Sequence, residues 1–442
     1  MSLYCSILGA NISHILRHRK RINFLKAKTS SCFLSFHYKK LSFSSHIGFV
    51  SKFEQNYSSP LMEEDKKMAS LISQSEEFSK ELDVAVRAVQ VACSLRNKVQ
   101  KKLISKDCNS SCQYTIYVGW SVKAIIGWIL CECLGGENIS ILTEEDVVQT
   151  LSKPNATELL ETVVKIVNEC LAEAPQFGFE APKSALETSE VLEIISHCNS
   201  IGGPSGRFWT LGFVSGDQYA VALSLIEDGE VVVGVLGCPD YPMRKDWLSY
   251  QQSYHRIVSK LISPTSETWN EGCVIYAKKG SGKAWIQPVI HVNKKFVWPN
   301  HAKQVSVSSI DNIGLATFCQ SVEKANSSHS FTDGLAHSVD LSNKPLRVYS
   351  MMKYAAIACG DAEVFMKLAR TGCKEKIWDH AAGVIIIQEA GGTVTDVRGS
   401  SLDFSKGSYL EGIDRGIVAC AGATLHEKVI DAVDASWASS CL

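Results

Sequence analysis

The sequence has no closely spaced cysteine pair of the kind that holds a structural zinc ion. It contains 16 cysteines among 442 residues, but none forms a Cys-x-x-Cys pair, and Cys131 with Cys133 is the closest spacing. Because zinc ribbons and fingers need two such pairs, the sequence argues against this class. In a chain of this length we expect reduced, mostly buried thiols. A disulfide between Cys108 and Cys112 is compatible with the spacing, although nothing requires it.

Long apolar runs and an excess of charge of one sign are also missing. The longest apolar candidate, residues 122–130, is too short to cross a bilayer, so we expect no membrane partner. The formal net charge is −1, which provides no general basic field to attract a nucleic acid polymer. With 45% apolar and 21% charged residues, the chain can bury one large core or two moderate ones.

The first 53 residues lack acidic side chains altogether. They contain no Asp or Glu, nine Lys or Arg and ten Ser, a composition typical of an organellar transit peptide. An early arginine cluster at residues 17–21 favours a mitochondrial address, with the plastid as the alternative and a basic tail without an address as a further one. We therefore assign residues 1–61 to a transit peptide that folds into no domain.

Periodicity and turn residues predict the organisation of the rest. A polar stretch at residues 290–305 divides an N-terminal α+β domain, 62–300, from a C-terminal α/β domain, 301–442. We expect a polar loop over 105–115 and irregular chain over 173–206. The Gly-Ser-Gly-Lys at 280–283 lacks the spacing of a phosphate-binding loop and predicts a hairpin turn instead. Amphipathic patterns predict helices over 81–103, 120–134 and 155–172, and β-branched runs predict strands that include 139–142, 221–226 and 231–236.

The rest of the chain is organised around residues 376–396. Asp379 suits the N-cap of a helix that stops before Gly391 and Gly392, and a strand is expected over 393–396. At a helix start its carboxylate would lie beside backbone N–H groups, where a cation can bind and hold a phosphate. Taken in isolation, the local pattern favours a simple capped helix before a strand.

Three short motifs in this segment and shortly after it resemble a known family. Trp-Asp-His-Ala-Ala-Gly from Trp378, Glu-Ala-Gly-Gly from Glu389 and Leu-Asp-Phe-Ser-Lys-Gly from Leu402 closely resemble the C-terminal signature of 3'(2'),5'-bisphosphate nucleotidases. These enzymes belong to the magnesium-dependent, lithium-sensitive inositol monophosphatase superfamily, and the resemblance is to its plant organellar type. It covers residues 75 to 435 and implies a layered α/β/α/β/α sandwich.

The resemblance also implies a set of metal ligands. In the family a Glu-Glu pair after a strand binds Mg²⁺, which makes Glu144 a ligand and Glu145 its neighbour, and Asp379 supplies a second carboxylate. Three carboxylates at 144–146 are equally typical of a solvated helix start, with Thr143 as its cap. The family activates water with an Asp and a Thr on a preceding loop. Of these, Asp107 carries over as the catalytic candidate.

One family motif is missing from the chain. Phe208 to Leu223 resembles the family on both sides of one point, between Thr210 and Leu211. There the family has Leu-Asp-Pro-Val-Asp-Gly-Thr, which supplies two further carboxylates and the turn that holds phosphate. Because the flanks are intact, a splicing difference or gene-model boundary explains the loss better than gradual decay.

The resemblance places the substrate in the C-terminal half. Ser350-x-x-Lys353-Tyr matches a family motif, so Ser350 and Lys353 are expected to contact the nucleotide, together with Asp379. His329, on a polar loop, is a further candidate, and an ordinary exposed histidine is its alternative interpretation.

Together these observations predict a monomeric Mg²⁺-dependent phosphatase. It would remove the 3'-phosphate of 3'-phosphoadenosine 5'-phosphate, a small bisphosphorylated nucleotide, to give AMP and phosphate. Because metal stabilisation contributes several kcal/mol to such reactions, loss of the central motif puts the activity of this chain in question. One alternative is a catalytically dead member that binds nucleotide or a partner protein, and another is an inositol monophosphatase.

Overall fold

The computed structural model describes a large part of the chain. The residues it describes are 77–105, 111–135, 139–144, 157–214, 219–241, 272–290, 302–321, 341, 346–348, 351–367, 374–411 and 416–440. They fall within one compact unit, Ala69–Leu442. The predicted transit peptide, residues 1–61, lies outside them.

Seven α-helices and three short 3₁₀ turns occur in the described residues. The helices are α1 Ser79–Ser105, α2 Ser111–Leu134, α3 Thr157–Leu171, α4 Thr188–His197, α5 Met352–Ala358, α6 Ala381–Glu389 and α7 Ala423–Ser440. The 3₁₀ turns are Ala174–Phe177, Ile313–Leu315 and Ile377–Asp379.

The strands form two large sheets and one small ribbon. The first sheet has the order β1 to β7, with β1 parallel to β2 and all other pairs antiparallel. The second has the order β12-β14-β10-β8-β9, and β11 pairs with β13 as a separate ribbon. The strands are β1 Ile141–Leu142, β2 Arg207–Val214, β3 Ala220–Glu227, β4 Glu230–Cys238, β5 Cys273–Lys278, β6 Ala284–Pro288, β7 Lys303–Val305, β8 Phe318–Ser321, β9 Leu346–Val348, β10 Val364–Lys367, β11 Glu375–Lys376, β12 Thr393–Asp396, β13 Tyr409–Leu410 and β14 Ile417–Cys420.

Five layers result from the way these elements bury their apolar faces. Helix α1, with α2, α3 and α4 around it, covers one face of the first sheet. Helices α5 and α6 fill the space between the two sheets, and α7 covers the outer face of the second sheet. This arrangement confirms the predicted α/β/α/β/α sandwich. The boundary predicted at residue 300 falls just before β7, which pairs with β6 in the first sheet.

Strand β3 shows how the sequence divides between two of these cores. Val221, Leu223 and Leu225 point to the outer helices, whereas Ala222 and Ile226 point to the middle layer. Side chains alternate between the two faces of a strand, so a continuous apolar run is what a sheet covered on both faces requires.

The predicted β3–β4 hairpin is confirmed, and its turn follows from two residues. Asp228 and Gly229 both have positive φ, 49° and 79°, the conformation that a two-residue hairpin turn needs and that Asp-Gly supplies with little strain. The predicted hairpin turn at 280–283 is confirmed as well. Its loop holds the Glu389 carboxylate, which accepts hydrogen bonds from Gly280 N, Gly282 N and Ser281 Oγ.

Two predictions about local structure were wrong. The loop expected over 105–115 is shorter, because α2 already begins at Ser111. The stretch expected to be irregular contains α4, whose first turn is closed by a 2.6 Å hydrogen bond from the Glu187 N–H to the Glu190 carboxylate. An acidic N-cap with Glu three residues later is a helix start signal that the prediction overlooked.

Helix α2 is longer and more apolar than the sequence analysis recognised. Its segment Tyr117–Leu134 has the length and composition of a helix that could cross a membrane. In this fold, 72% of that segment is buried, with Val118, Val122 and Ile125 in the core under the first sheet. The buried core helix of a layered fold passes the same composition test.

Candidate active site

Asp379 lies on a short connection between the ribbon and the middle helical layer. It ends the 3₁₀ turn Ile377–Asp379, which follows β11 and precedes α6. The N-cap of α6 is His380 rather than Asp379, so the predicted capping role is wrong by one residue. Burial raises the pKa of the Asp379 carboxyl above its ordinary value, and the nearby His380 and Lys367 partly offset that rise.

A buried polar network lies next to Asp379 and includes the following residue, His380. The Tyr354 hydroxyl is 2.6 Å from His380 Nδ1, and His380 Nε2 is 3.0 Å from Glu375 Oε2. Lys367 pairs with the same Glu375 oxygen. Since a carboxylate only accepts, His380 Nε2 carries the proton, and Nδ1 therefore accepts from the Tyr354 hydroxyl. The network ties α5, β10 and β11 to the residue next to Asp379.

The charges within this network follow from burial and pairing. Burial lowers the pKa of His380, so the imidazole is neutral at neutral pH. Burial alone would raise the pKa of Glu375, but the hydrogen bond from His380 and the ion pair with Lys367 outweigh that effect and lower the pKa to about 2. The network thus holds an anion and an ammonium that neutralise each other behind Asp379.

Lys376 and Glu144 form a second, more exposed ion pair near Asp379. Lys376 Nζ is 2.6 Å from Glu144 Oε1 and lies 5.3 Å from the centroid of the Trp378 ring. The same ammonium interacts favourably with the Asp379 carboxylate. The backbone carbonyl of Glu144 also accepts a 2.5 Å hydrogen bond from Lys123 Nζ. The Lys376 ammonium therefore bonds to Glu144 and interacts electrostatically with Asp379, although the two predicted carboxylate ligands are 235 positions apart in the sequence.

Of the other predicted site residues, Lys353 is the one that lies among the described residues. Lys353 lies on α5, is buried, and has its ammonium 4.5 Å from the centroid of the Phe365 ring. Asp107, His329 and Ser350 lie outside the described residues. Their assigned roles, and that of Lys353 in binding substrate, remain predictions.

Sequence reasoning missed Lys376, Glu375, His380 and Tyr354 as members of the site. Lys376 and His380 flank Asp379 within the recognised segment, so proximity to a predicted ligand was the available signal. Tyr354 ends the recognised Ser350-x-x-Lys353-Tyr motif and Glu375 directly precedes Lys376, so the same signal was available for them. Their contacts with His380, however, arise from the packing of β11 and α5.

The described residues do not fit a magnesium site by themselves. They contain no group of three or more His, Cys, Asp or Glu side chains arranged to hold a metal ion. Glu144 and Asp379 provide only two carboxylates, and an ammonium is already bonded to one of them. Mg²⁺ prefers near-octahedral oxygen ligands, and a lysine nitrogen in that position adds positive charge instead.

Strand β2 continues through the point where the resemblance placed a missing motif. It runs unbroken from Arg207 to Val214 and stays in register with β3, Thr210 opposite Ser224 and Leu211 opposite Leu223. Beyond that point Gly212 approaches the turn that carries Asp379, and a Cβ there would lie 2.5 Å from the Trp378 carbonyl oxygen. The paired strands β2 and β3 thus pass beside Asp379 at the point where the resemblance predicts a ligand-bearing loop.

Comparison with known proteins gives one family and several relatives. The inositol monophosphatase family profile matches residues 113–438. The 3',5'-bisphosphate nucleotidase AHL of Arabidopsis thaliana is 52% identical over 377 residues, which cover 82% of this chain and 98% of that protein. A probable 3'(2'),5'-bisphosphate nucleotidase 4 of the same organism is 36% identical over 344 residues, covering 76% and 89%. The solved structure of the extragenic suppressor protein suhB from Bartonella henselae aligns with a TM-score of 0.41 at 17% identity, covering 80% and 99%.

Proposed function

The chain belongs to the inositol monophosphatase family, and from this premise we propose that it is a 3'(2'),5'-bisphosphate nucleotidase, a phosphoric monoester hydrolase. Its substrate is 3'-phosphoadenosine 5'-phosphate, and its products are AMP and phosphate. The observation that carries the proposal is the 52% identity to a 3',5'-bisphosphate nucleotidase over nearly the whole of that protein. The C-terminal motifs that carry the resemblance lie within the matched region.

The reaction sets clear requirements for the site. Water attacks the 3'-phosphorus, the bond from phosphorus to the 3'-oxygen breaks, and the departing oxygen takes up a proton to become the 3'-hydroxyl of AMP. The site must therefore neutralise phosphate charge and hold its groups in one orientation. Lys376 supplies a positive charge beside Asp379, and the buried network of His380, Glu375 and Tyr354 fixes the adjacent backbone.

Mg²⁺ is the cofactor that we propose, on the ground of family membership. When bound, it would neutralise phosphate oxygens and lower the pKa of a bound water. Glu144 and Asp379 are the described carboxylates that would contribute. Outside the described residues, Asp107 is the predicted water-activating group and Glu145 is the neighbour of Glu144. Since the described set does not fit the ion alone, we derive no step through it.

A second candidate function is nucleotide binding without turnover. The continuous strand β2, paired with β3, favours it, because Thr210 and Leu211 follow each other in this strand where the resemblance expects two more carboxylates and a phosphate-holding turn. Activity on inositol monophosphates is a third candidate, favoured by the family profile alone.

We also propose that the protein is a monomer in an organelle, the mitochondrion first and the plastid as the alternative. The acid-free composition of the N-terminal residues supports the address. Fusion of residues 1–61 to a fluorescent protein tests it, and a diffuse cytosolic signal would contradict it. Sedimentation of the purified chain tests the monomer.

Phosphate release by the full-length chain tests the function. The chain is incubated with Mg²⁺ and either the bisphosphorylated nucleotide or inositol 1-phosphate, with and without lithium. We expect lithium-inhibited release from the nucleotide, abolished in Asp379→Asn, and little release from inositol phosphate. The reverse preference would favour the third candidate.

A silent wild-type chain is interpreted with one further variant. Activity that appears after insertion of Leu-Asp-Pro-Val-Asp-Gly-Thr between Thr210 and Leu211 would show that this chain is a shortened form of an active enzyme. Thermal stabilisation by the nucleotide, with no release in either protein, would establish the binding function instead.

A further inference from the structure

We propose that the Lys376 ammonium, bonded to Glu144 close to Asp379, holds the cation position of this site, so that it competes with a divalent metal ion. The inference rests on the proposed function in taking these two carboxylates as family metal ligands. It concerns occupancy of the site and makes no claim about turnover.

The contacts of Lys376 place its charge in that position. Its Nζ donates to Glu144 Oε1 at 2.6 Å, and the side chain lies along the Trp378 ring. Lys376 faces Tyr409 in the β11–β13 ribbon, which fixes the direction in which its side chain leaves the backbone. The side chain is 32% exposed and that of Glu144 is 48% exposed, so the pair is held at the surface and can be displaced.

The other lysine side chains near the Lys376–Glu144 pair have different partners. Lys367 is engaged with the buried Glu375, and Lys374 is exposed with its ammonium 5.6 Å from the centroid of the Tyr409 ring. Lys123 donates to the backbone carbonyl of Glu144 rather than to its carboxylate. Among the described residues, Lys376 is thus the cation bonded to the Glu144 side chain.

A divalent ion and this ammonium exclude each other on physical grounds. Mg²⁺ binds carboxylate oxygens at about 2.0–2.1 Å, so an ion on Glu144 would lie within a few ångström of Nζ. Like charges at that separation repel strongly, and the repulsion is weakened only in part by solvent. The metal ion must therefore displace Lys376. The free energy of the broken Lys376–Glu144 pair then lowers the affinity of the site for the metal ion.

The test is a titration with Mn²⁺, followed by electron paramagnetic resonance of the free ion. It uses the full-length chain without nucleotide, as wild type, Lys376→Gln, Lys374→Gln and the double variant Lys376→Gln/Glu144→Gln. Lys374→Gln is the matched control, because it removes the same charge two residues away without touching Glu144.

We expect Lys376→Gln to bind Mn²⁺ about tenfold more tightly than wild type, from loss of the competing pair and of the repulsion. Lys374→Gln should change the affinity by less than about twofold, and the double variant should lose the gain. Equal affinities in wild type and Lys376→Gln, or weaker binding in Lys376→Gln, would overturn the proposal.

A conservative variant keeps the test decisive if Lys376→Gln is unstable. Lys376→Arg retains the cation, so it should bind Mn²⁺ as weakly as wild type, and tight binding by Lys376→Arg would also overturn the proposal. Circular dichroism and thermal melting establish that each variant is folded. Failure of the phosphatase assay would leave the Mn²⁺ result unaffected, so the two proposals fail separately.

Discussion

Two neighbouring residues of one short strand, Glu375 and Lys376, end in opposite environments. Glu375 is 5% exposed and binds His380 and Lys367 inside the protein, whereas Lys376 is 32% exposed and binds Glu144 at the surface. Side chains alternate along a strand, so one step in sequence moves a charge from the core to solvent.

The difference teaches which polar contacts hold the site together and which can be exchanged. Breaking a buried pair leaves an uncompensated charge and costs several kcal/mol. A surface pair contributes about 0–1 kcal/mol, because water solvates both partners when they separate. The inner network therefore fixes the turn that carries Asp379, and the outer pair is available to a ligand.

Removal of the inner anion should have the largest effect on stability. Glu375→Ala leaves the partly buried Lys367 ammonium and the buried His380 without their partner, and we expect a loss of about 3–5 kcal/mol in the free energy of unfolding. Urea denaturation followed by fluorescence measures it. Glu375→Gln, which retains an acceptor, should lose less. A loss below 1 kcal/mol for Glu375→Ala would mean that the network is not the support described here.

Acid should remove the same contribution reversibly. The pKa of Glu375 is lowered from 4.5 to about 2 in the folded protein, so the unfolded state binds the proton more readily. The contribution is complete above pH 4.5 and is lost as the pH falls toward 2. The difference amounts to about 3 kcal/mol at most.

This pH effect is measured as the difference between wild type and Glu375→Gln. The difference cancels other acidic groups, including Asp379, whose pKa burial raises. The stability difference should shrink as the pH falls from 4.5 to 2. A difference that stays constant over this range would show that Glu375 titrates normally in the folded state.

The outer pair should give the smallest effect. Lys376→Gln is expected to change the free energy of unfolding by less than about 1 kcal/mol, with a still smaller change at high salt. Urea denaturation at two salt concentrations measures it, with Lys374→Gln as the control. A loss comparable to that of Glu375→Ala would remove the distinction between the two sides of Asp379.

Much of the architecture was predictable because local signals agreed with the tertiary fold. Asp228-Gly229 between two β-branched runs predicted the β3–β4 hairpin, and the periodicity of residues 155–172 predicted α3. Helix α4 was missed because Glu187, a less common N-cap, was not read as a helix start.

The candidate site was predictable only in part. The resemblance identified Glu144 and Asp379, and the structure bonds Glu144 to Lys376, whose charge also acts on Asp379. Asp107, His329 and Ser350 lie outside the described residues and remain predictions, as does the substrate role of Lys353. His380 stood within the recognised motif, yet nothing local indicates that its ring binds Tyr354 and Glu375.

Local sequence signals were enough for hairpins such as β3–β4, for amphipathic helices such as α3 and for the segment around Asp379, since these depend on neighbours a few positions apart. The tertiary structure decided what each charge meets. It set Lys376 against Glu144, which is 232 positions away, and Glu375 against His380 and Lys367 in the interior. The free energy that a charged side chain contributes depends on its burial and on its partner. The order of residues along the chain specifies neither.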